Sequence, residues 1–180
     1  ISMGRGYPRT DLACEATEFR GRAKEETLRL GSGGAPVTLL RSTEEGGGRY
    51  VTVSCGRMTT RGDVELDELA DVLCDELTGM TKDMLGHGPH QGMRVLVVGL
   101  GNADMTADAI GPGTVRRMTA TRHLKAYNGD MYHALGCCEL AAIAPGVLGQ
   151  TGIESVELVR GAVSHVRPHL VVAVDALAAR

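Results

Sequence analysis

The feature that most constrains the fold is a pair of short apolar runs that lie far apart in the sequence. The first contains Val95–Val98, which is apolar on both faces of a strand, and the second is Leu170–Val174. Such strands are typical of the buried centre of a parallel sheet, because helices cover both of its faces. A helical pattern from Ile153 to Val163 lies between them. Strand, helix and strand in this order predict an α/β fold, with a doubly wound, mostly parallel sheet and flanking helices.

Different patterns precede the first apolar run. Pro36–Leu40 and Arg49–Cys55 are rich in β-favouring residues, and the second of these alternates apolar with polar residues, the period of a half-buried strand. Glu44–Gly48 separates the two, so the sequence predicts an N-terminal β-hairpin. Residues 9–30 have a charged, moderately helical pattern that ends at the Gly31–Gly34 cluster.

A long amphipathic helix is predicted after the hairpin. Asp63 is expected to cap its start, because a carboxylate there accepts hydrogen bonds from the free amides of the first turn. Gly86 is expected to end it, since glycine readily adopts the left-handed conformation found just after helices. The apolar residues are spaced by three or four, and they are Leu66, Leu69, Leu73, Leu77, Met80 and Met84.

Composition excludes several classes of protein. The 180 residues carry 19 Lys and Arg against 22 Asp and Glu, so the net charge is −3 and no positive excess favours nucleic acid. The longest apolar run falls far short of the ~20 residues that cross a bilayer, and the N terminus shows no secretory signal. Five cysteines without C-x-x-C spacing fit a reducing compartment. We therefore expect a cytoplasmic protein with one α/β domain over residues 1–180 and with no nucleic-acid or membrane partner.

Acidic residues follow both apolar runs, at the strand ends where open α/β sheets bind ligands. Asp104 and Asp108 follow the first run, and Asp175 directly follows the second. Two carboxylates in one partly desolvated cleft do not both ionise easily. One can then act as an acid while the other takes a proton from water, which suits amide hydrolysis. The alternative is that each Asp caps a turn or a helix, as Asp commonly does.

Other chemistries have weaker support. Gly99-Leu100-Gly101 suggests a dinucleotide loop, but position 104 is Asp where the third glycine is needed. The histidines lack the helical spacing of a zinc hydrolase, and no Ser or Cys lies in a nucleophile elbow. The loop 145–154 is rich in glycine, and its backbone amides suit a bound peptide or a developing oxyanion; a plain strand-to-helix connection is the alternative. Thr151 is expected to cap the helix that begins near Ile153.

Seven blocks, in a fixed order along the chain, resemble a single protein family. They are Arg9–Ala13, Gly48–Val53, Gly99–Asn102, Asp108–Pro112, Thr121–Leu124, Ala144–Glu154 and Asp175–Arg180. On these blocks the chain resembles the germination proteases of spore-forming bacteria, endopeptidases that degrade small acid-soluble spore proteins. The blocks extend over nearly the whole chain, which looks like roughly the first half of a family member.

The resemblance implies a fold similar to that of the hydrogenase-maturation proteases and an atypical aspartic endopeptidase, with small acid-soluble spore proteins as substrates. It implies an inactive zymogen made in the forespore, located in the spore core and assembled as a homo-oligomer, a tetramer. The family's two proposed catalytic carboxylates fall on Asp108 and Asp175, whereas Asp104 matches no catalytic position. No cofactor and no metal are expected.

Two further expectations and two alternatives complete the sequence-based hypothesis. We expect the peptidase domain to be incomplete at its C-terminal end, and residues 1–8 to be the remnant of a propeptide. One alternative is a metal-dependent, maturation-type peptidase of the same fold, in which acidic residues of the cleft bind a metal such as nickel. The other is a non-catalytic fragment that binds peptides.

Overall fold

The structure is a computed structural model that describes residues 24–31, 34, 36–43 and 48–177. Contacts divide the chain into two compact units, one formed by Ile1–Gly88 with Leu177–Arg180 and the other by Pro89–Ala176. A single domain over residues 1–180 stays a prediction. The predicted propeptide remnant, residues 1–8, lies outside the described residues.

The first unit contains an antiparallel sheet of three strands in the order β1-β2-β3. The strands are β1 (Lys24–Arg29), β2 (Pro36–Thr43) and β3 (Arg49–Ser54). Strands β2 and β3 pair in an antiparallel register that places Leu39 opposite Val53. The predicted N-terminal β-hairpin is therefore confirmed, and a third strand extends it.

Strand β1 shows that the helical interpretation of residues 9–30 is wrong for its last part. Residues 9–23 lie outside the described residues, but Lys24–Arg29 pairs antiparallel with β2. The local sequence is misleading because Lys, Glu, Leu and Arg are good helix formers. Pairing with β2 outweighs this preference, since it satisfies the backbone and brings Leu28 against the core that contains Leu39.

Helix α1 spans Asp63–Leu85 and confirms the predicted helix, with a correction at its start. Gly62, rather than Asp63, occupies the N-cap position, and its amide donates to Glu65 Oε2 at 3.2 Å. Asp63 is the first helical residue, where a negative charge is favourable to the helix dipole. At the other end Gly86 has a φ of 76°, the expected left-handed conformation.

The apolar stripe of α1 is only partly buried. Leu69 packs into a small core together with Leu30, Val37 and Leu39. Further along the stripe the side chains are largely exposed, at 44% for Leu73, 54% for Leu77 and 70% for Met84. Glu76 follows Leu69 by seven positions, so it lies on the same face of the helix, and two arginines of the sheet bind its carboxylate.

An ionic cluster joins α1 to the sheet. Arg41 of β2 donates from Nε to Glu76 Oε1 at 2.8 Å and from Nη1 to Glu26 Oε2 at 2.6 Å. Arg49 of β3 donates from Nη2 to Glu76 Oε2 at 3.2 Å and also binds Asp83. The hydrogen bond from Arg41 holds the pKa of Glu76 below its ordinary value, and the bond to Glu76 raises the pKa of Arg41. The side chain of Glu76 is 12% exposed, so water screens its contacts with the two arginines little.

We expect the substitution Glu76→Gln to destabilise the first unit at neutral pH by about 1.5–3 kcal/mol, the range for hydrogen bonds to a charged group. Because the pKa of Glu76 is lower in the folded than in the unfolded chain, its ionised form stabilises the fold above the ordinary pKa of 4.5. That contribution is lost as the pH falls below 4.5 toward the folded-state pKa. The midpoint temperature of thermal unfolding should therefore fall more steeply with decreasing pH for the wild type than for Glu76→Gln. Equal slopes would contradict the assignment, and Glu25→Gln, at an exposed position of β1, is the control.

The second unit contains a parallel sheet of three strands in the order β5-β4-β6. The strands are β4 (Arg94–Gly99), β5 (Glu139–Ile143) and β6 (Leu170–Val174). Strand β4 lies in the centre and is buried from Val95 to Gly99, which confirms the prediction for the first apolar run. Strand β6 differs from the prediction, because alternate residues are exposed, including Val171 at 43%. Within the described residues β6 pairs only with β4, so it is an edge strand there.

Helices flank the parallel sheet. They are α2 (Ile110–Arg117), α3 (Arg122–Tyr127), α4 (Gly129–Leu135), α5 (Leu148–Thr151) and α6 (Ser155–Val166). Helix α2 contacts β4 and β6, and α6 contacts β4 and β5. The N-cap position of α6 is Glu154, so Thr151 does not cap it; Thr151 Oγ1 accepts instead from the Ile153 amide at 3.1 Å. The predicted mixed α/β class with a parallel sheet is confirmed. Across the described residues, no helix combines the length and the apolar character needed to span a membrane.

Candidate active site

Both predicted catalytic residues lie at the carboxyl edge of the parallel sheet. Asp108 ends a short 3₁₀ turn in the loop after β4, and Asp175 directly follows β6. These two strands are neighbours, with Gly99 paired to Val174, and the Leu100 amide donates to the Val174 carbonyl at 2.8 Å. The sheet therefore brings two residues that are distant in sequence to adjacent strand ends.

Asp108 is half-buried and anchored by its own loop. Its Oδ2 atom accepts a hydrogen bond from the Asn102 amide at 2.7 Å, a length typical of charge-assisted bonds. The N-cap position of α2 is Ala109, and no side-chain hydrogen bond caps that helix. Helix capping, the alternative role considered for Asp108, is therefore not what the structure shows. The bond to Asn102 instead fixes the carboxylate relative to the end of β4.

Asp175 is exposed and makes a local contact. Its Oδ1 atom accepts from the amide of the next residue, Ala176, at 2.9 Å. A local bond of this kind fits the turn-forming role that Asp often has. The argument that Asp175 belongs to the candidate site is therefore its position at the strand end next to that of β4.

Gly111 lies where the ends of β4 and β6 come close to the start of α2. A Cβ atom at this position would lie 2.2 Å from the Leu100 carbonyl oxygen and 2.5 Å from the Val174 carbonyl oxygen. Only a residue without a side chain allows so close an approach between three backbone segments. Gly111 is three positions after Asp108, and Val174 directly precedes Asp175. The contact therefore couples the positions of the two acidic residues through the backbone.

Gln150 is a residue of this edge that the sequence analysis did not assign. It lies in α5, after the third strand end, and its Nε2 atom donates to Asn102 Oδ1 at 3.1 Å and to Asp104 Oδ2 at 3.0 Å. The available signal was the strand-end rule itself, because Ala144–Glu154 follows β5 just as the two acidic loops follow β4 and β6. We call Asn102, Asp104, Asp108, Gln150 and Asp175 the candidate site.

Two observations on the described residues bear on cysteine and metal chemistry. Burial raises the pKa of the Cys138 thiol, whereas reactive cysteines have a lowered pKa. In the described ranges, no group of three or more His, Cys, Asp or Glu side chains has the geometry to hold a metal ion. The metal-dependent alternative would therefore have to assemble its ligands differently from the arrangement seen in these residues.

An open pocket of about 350 Å³ lies elsewhere on the second unit. It is lined by Arg122, His123, Lys125, Ala126, Tyr127 and Glu139. Lys125 Nζ donates to Glu139 Oε1 at 2.6 Å, and this bond raises the pKa of Lys125. Glu139 begins β5 opposite Arg94 at the start of β4, so the pocket lies at the amino edge of the sheet. It is separate from the carboxyl edge that holds the candidate site.

Comparisons with known proteins identify the family of the chain. The family model described as germination protease matches residues 38–180. Proteins named germination protease from Clostridium acetobutylicum, Caldanaerobacter subterraneus and Priestia megaterium are 36%, 37% and 33% identical to this chain. Each match covers 96% of this chain but only 56%, 54% and 50% of the relative, so the chain spans about half the length of these relatives. The matched residues include both strand ends with Asp108 and Asp175, and the chain belongs to the germination protease family.

Proposed function

We propose that this chain is part of an endopeptidase, and that this endopeptidase initiates the degradation of small acid-soluble spore proteins during germination. Asp108 and Asp175 would be its catalytic residues, an atypical aspartic-type pair. Membership of the germination protease family is the observation that supports both the proposed reaction and the proposed substrate class. The choice of residues is supported by the two adjacent strand ends and by the backbone contact at Gly111. The proposal includes a fold similar to that of the hydrogenase-maturation proteases.

The proposed reaction divides the work between the two carboxyl groups. One carboxylate accepts a proton from water as the water oxygen forms a bond to the scissile carbonyl carbon. The other, protonated carboxyl group donates its proton to the leaving nitrogen as the C–N bond breaks. Asp108 is half-buried and bonded to a loop amide, whereas Asp175 is exposed. Different surroundings are what allow two carboxyl groups to take different roles in one reaction.

The wider biology of the family is part of the same proposal. We infer that the protein is made as a zymogen in the forespore, acts in the spore core and assembles as a homo-oligomer, a tetramer. The exposed apolar side chains of Leu73, Leu77 and Met84 on α1 support self-association, since contiguous exposed apolar surface often marks an interface. Sedimentation equilibrium on the purified chain measures its assembly state.

Incubation with a purified small acid-soluble spore protein tests the proposal. We expect the chain to cleave the substrate into a few discrete fragments, with the same rate before and after treatment with EDTA. A rate that falls with EDTA and returns when nickel is added would contradict the aspartic mechanism in favour of the metal-dependent alternative. An intact substrate after long incubation with folded chain would contradict the proposed activity and favour a non-catalytic peptide-binding role. Mass spectrometry of the fragments reports the cleavage sites in each case.

A further inference from the structure

We propose that Gln150 is a positioning residue for Asp108 and acts through Asn102. The inference rests on the proposed function in one respect, namely that Asp108 is catalytic. It assigns a role to the loop after β5, which neither the reaction scheme nor the pair of acidic residues explains. The three strand-end loops of the second unit would then contribute to one site.

The first observation is that Gln150 bridges to the loop after β4. Its Nε2 atom donates to Asn102 Oδ1 at 3.1 Å and to Asp104 Oδ2 at 3.0 Å. The same Asn102 oxygen also accepts from the Asp104 amide at 2.9 Å. Gln150 therefore adds a second donor to a turn that Asn102 and Asp104 already form. The bridge spans 48 positions in the sequence, so it fixes one strand-end loop relative to another.

The second observation is that Asn102 holds the carboxylate of Asp108. The Asn102 amide donates to Asp108 Oδ2 at 2.7 Å, while the Asn102 side chain accepts from Gln150. Asn102 thus contacts Gln150 through its side chain and Asp108 through its backbone amide. A rotation of Asn102 after loss of the bridge would tilt the amide that anchors Asp108.

The third observation is that the loop presenting Gln150 is itself internally bonded. Ser155 Oγ donates to the Gly146 carbonyl at 2.9 Å, and Thr151 Oγ1 donates to the Ile153 carbonyl at 2.9 Å. The Gln150 amide donates to the Val147 carbonyl at 2.9 Å. A preformed loop needs little further backbone ordering when one of its side chains makes a bond, so it can help to hold another group in place.

The chemistry of the contact requires a hydrogen-bond donor at position 150. Both partner atoms, Asn102 Oδ1 and Asp104 Oδ2, are acceptors. A glutamine NH₂ group supplies two donors, whereas a glutamate at neutral pH supplies none and would bring a second carboxylate next to Asp104. Gln150→Glu is therefore a nearly isosteric substitution that reverses the interaction from attraction to repulsion.

Steady-state kinetics with a spore protein substrate tests the proposal. We expect Gln150→Ala to lower kcat by about tenfold and Gln150→Glu to lower it further, with KM changed less than about twofold, because misplacement of a reacting group affects the chemical step. Adding Asp104→Asn to Gln150→Glu should recover part of kcat, since an asparagine amide can donate to the new carboxylate. The matched control is Gln91→Ala, because Gln91 Nε2 also bridges two acceptors, the carbonyl oxygens of Tyr132 and His133, away from the candidate site.

Amide hydrogen exchange provides a readout that does not depend on activity. We expect the Asn102 amide to exchange about threefold to tenfold faster in Gln150→Ala than in the wild type or Gln91→Ala, since the loss of one hydrogen bond weakens local protection by that order. Unchanged Asn102 exchange, or an unchanged kcat in both Gln150 variants, would overturn the positioning role. A wild-type chain that cleaves nothing but shows the faster exchange in Gln150→Ala would reject the proposed activity and leave the structural coupling supported.

Discussion

Cleavage of a small acid-soluble spore protein is expected to slow by about 100-fold to 10,000-fold in Asp108→Asn and in Asp175→Asn, the range that general acid–base groups contribute. The substitution keeps the size of each side chain and leaves a carbonyl oxygen to accept from Asn102 or from Ala176, so the fold should be retained. It removes the ability to exchange a proton with water or with the leaving amine. Initial rates across a range of pH measure the loss.

The matched control for these variants is Asp130→Asn, at an exposed position in α4 of the same unit. It should keep the wild-type rate, and circular dichroism should show the same fold for all three variants. Because the two carboxyl groups act in one step, the double variant should lose little more activity than the more impaired single variant. Wild-type activity in either single variant would remove that residue from the mechanism, and losses that simply multiply would contradict a shared step.

Gly111→Ala is expected to destabilise the second unit by about 3 kcal/mol, at the upper end of the cost of overpacking. The new Cβ atom would lie 2.2 Å from the Leu100 carbonyl oxygen and 2.5 Å from the Val174 carbonyl oxygen. Both are backbone atoms, one directly after β4 and one at the end of β6, and they cannot rotate away, so α2 or a strand end must shift. A typical domain is stable by only about 5–15 kcal/mol, so the effect should be large in equilibrium urea unfolding.

Gly161→Ala is the matched control for this prediction. Gly161 lies inside α6, and a Cβ atom there would have no neighbour within 4 Å. The same substitution should stabilise the chain by up to about 1 kcal/mol, because alanine favours a helix interior over glycine. If Gly111→Ala and Gly161→Ala shifted the unfolding midpoint equally, the close approach at Gly111 would be wrong.

Local periodicity predicted only part of the regular elements of this fold, because strand β5 and helices α2 to α5 were not predicted from the sequence. Val95–Val98 is apolar on both faces of a strand, and this pattern identified the central strand. Apolar residues spaced by three or four identified the helix that begins at Asp63. The prediction was wrong for Lys24–Arg29, where helix-forming residues are held in a strand by pairing with β2. The apolar stripe of the helix that begins at Asp63 is only partly buried, since Leu73 and Leu77 are 44% and 54% exposed.

The sequence predicted those residues of the candidate site whose position depends only on the end of a strand. Asp108 and Asp175 follow apolar strands, so the general rule for open α/β sheets placed them at one edge. Gln150 could not be assigned in this way, because its role depends on two acceptors that lie 46 and 48 positions away and form no local pattern with it. The anchoring of Asp108 by a backbone amide has no sequence signature either, since every residue except proline has such an amide.

The contact between Gly99 and Gly111 has a consequence for how this site can vary. A Cβ atom at Gly99 would lie 2.2 Å from the Gly111 carbonyl oxygen. The backbone at the end of β4 therefore packs directly against the backbone of α2, with no side chain between them. The spacing between the end of β4 and the first turn of α2 is therefore set by contact between backbone atoms, so substitutions elsewhere in the interior should leave it unchanged, whereas a Cβ atom at either glycine would widen it. Mutations that repack the interior should change the thermal stability of the chain while leaving the relative positions of Asp108 and Asp175 almost unchanged. Changes of catalytic behaviour in this family should accordingly arise in the loops beyond the strand ends.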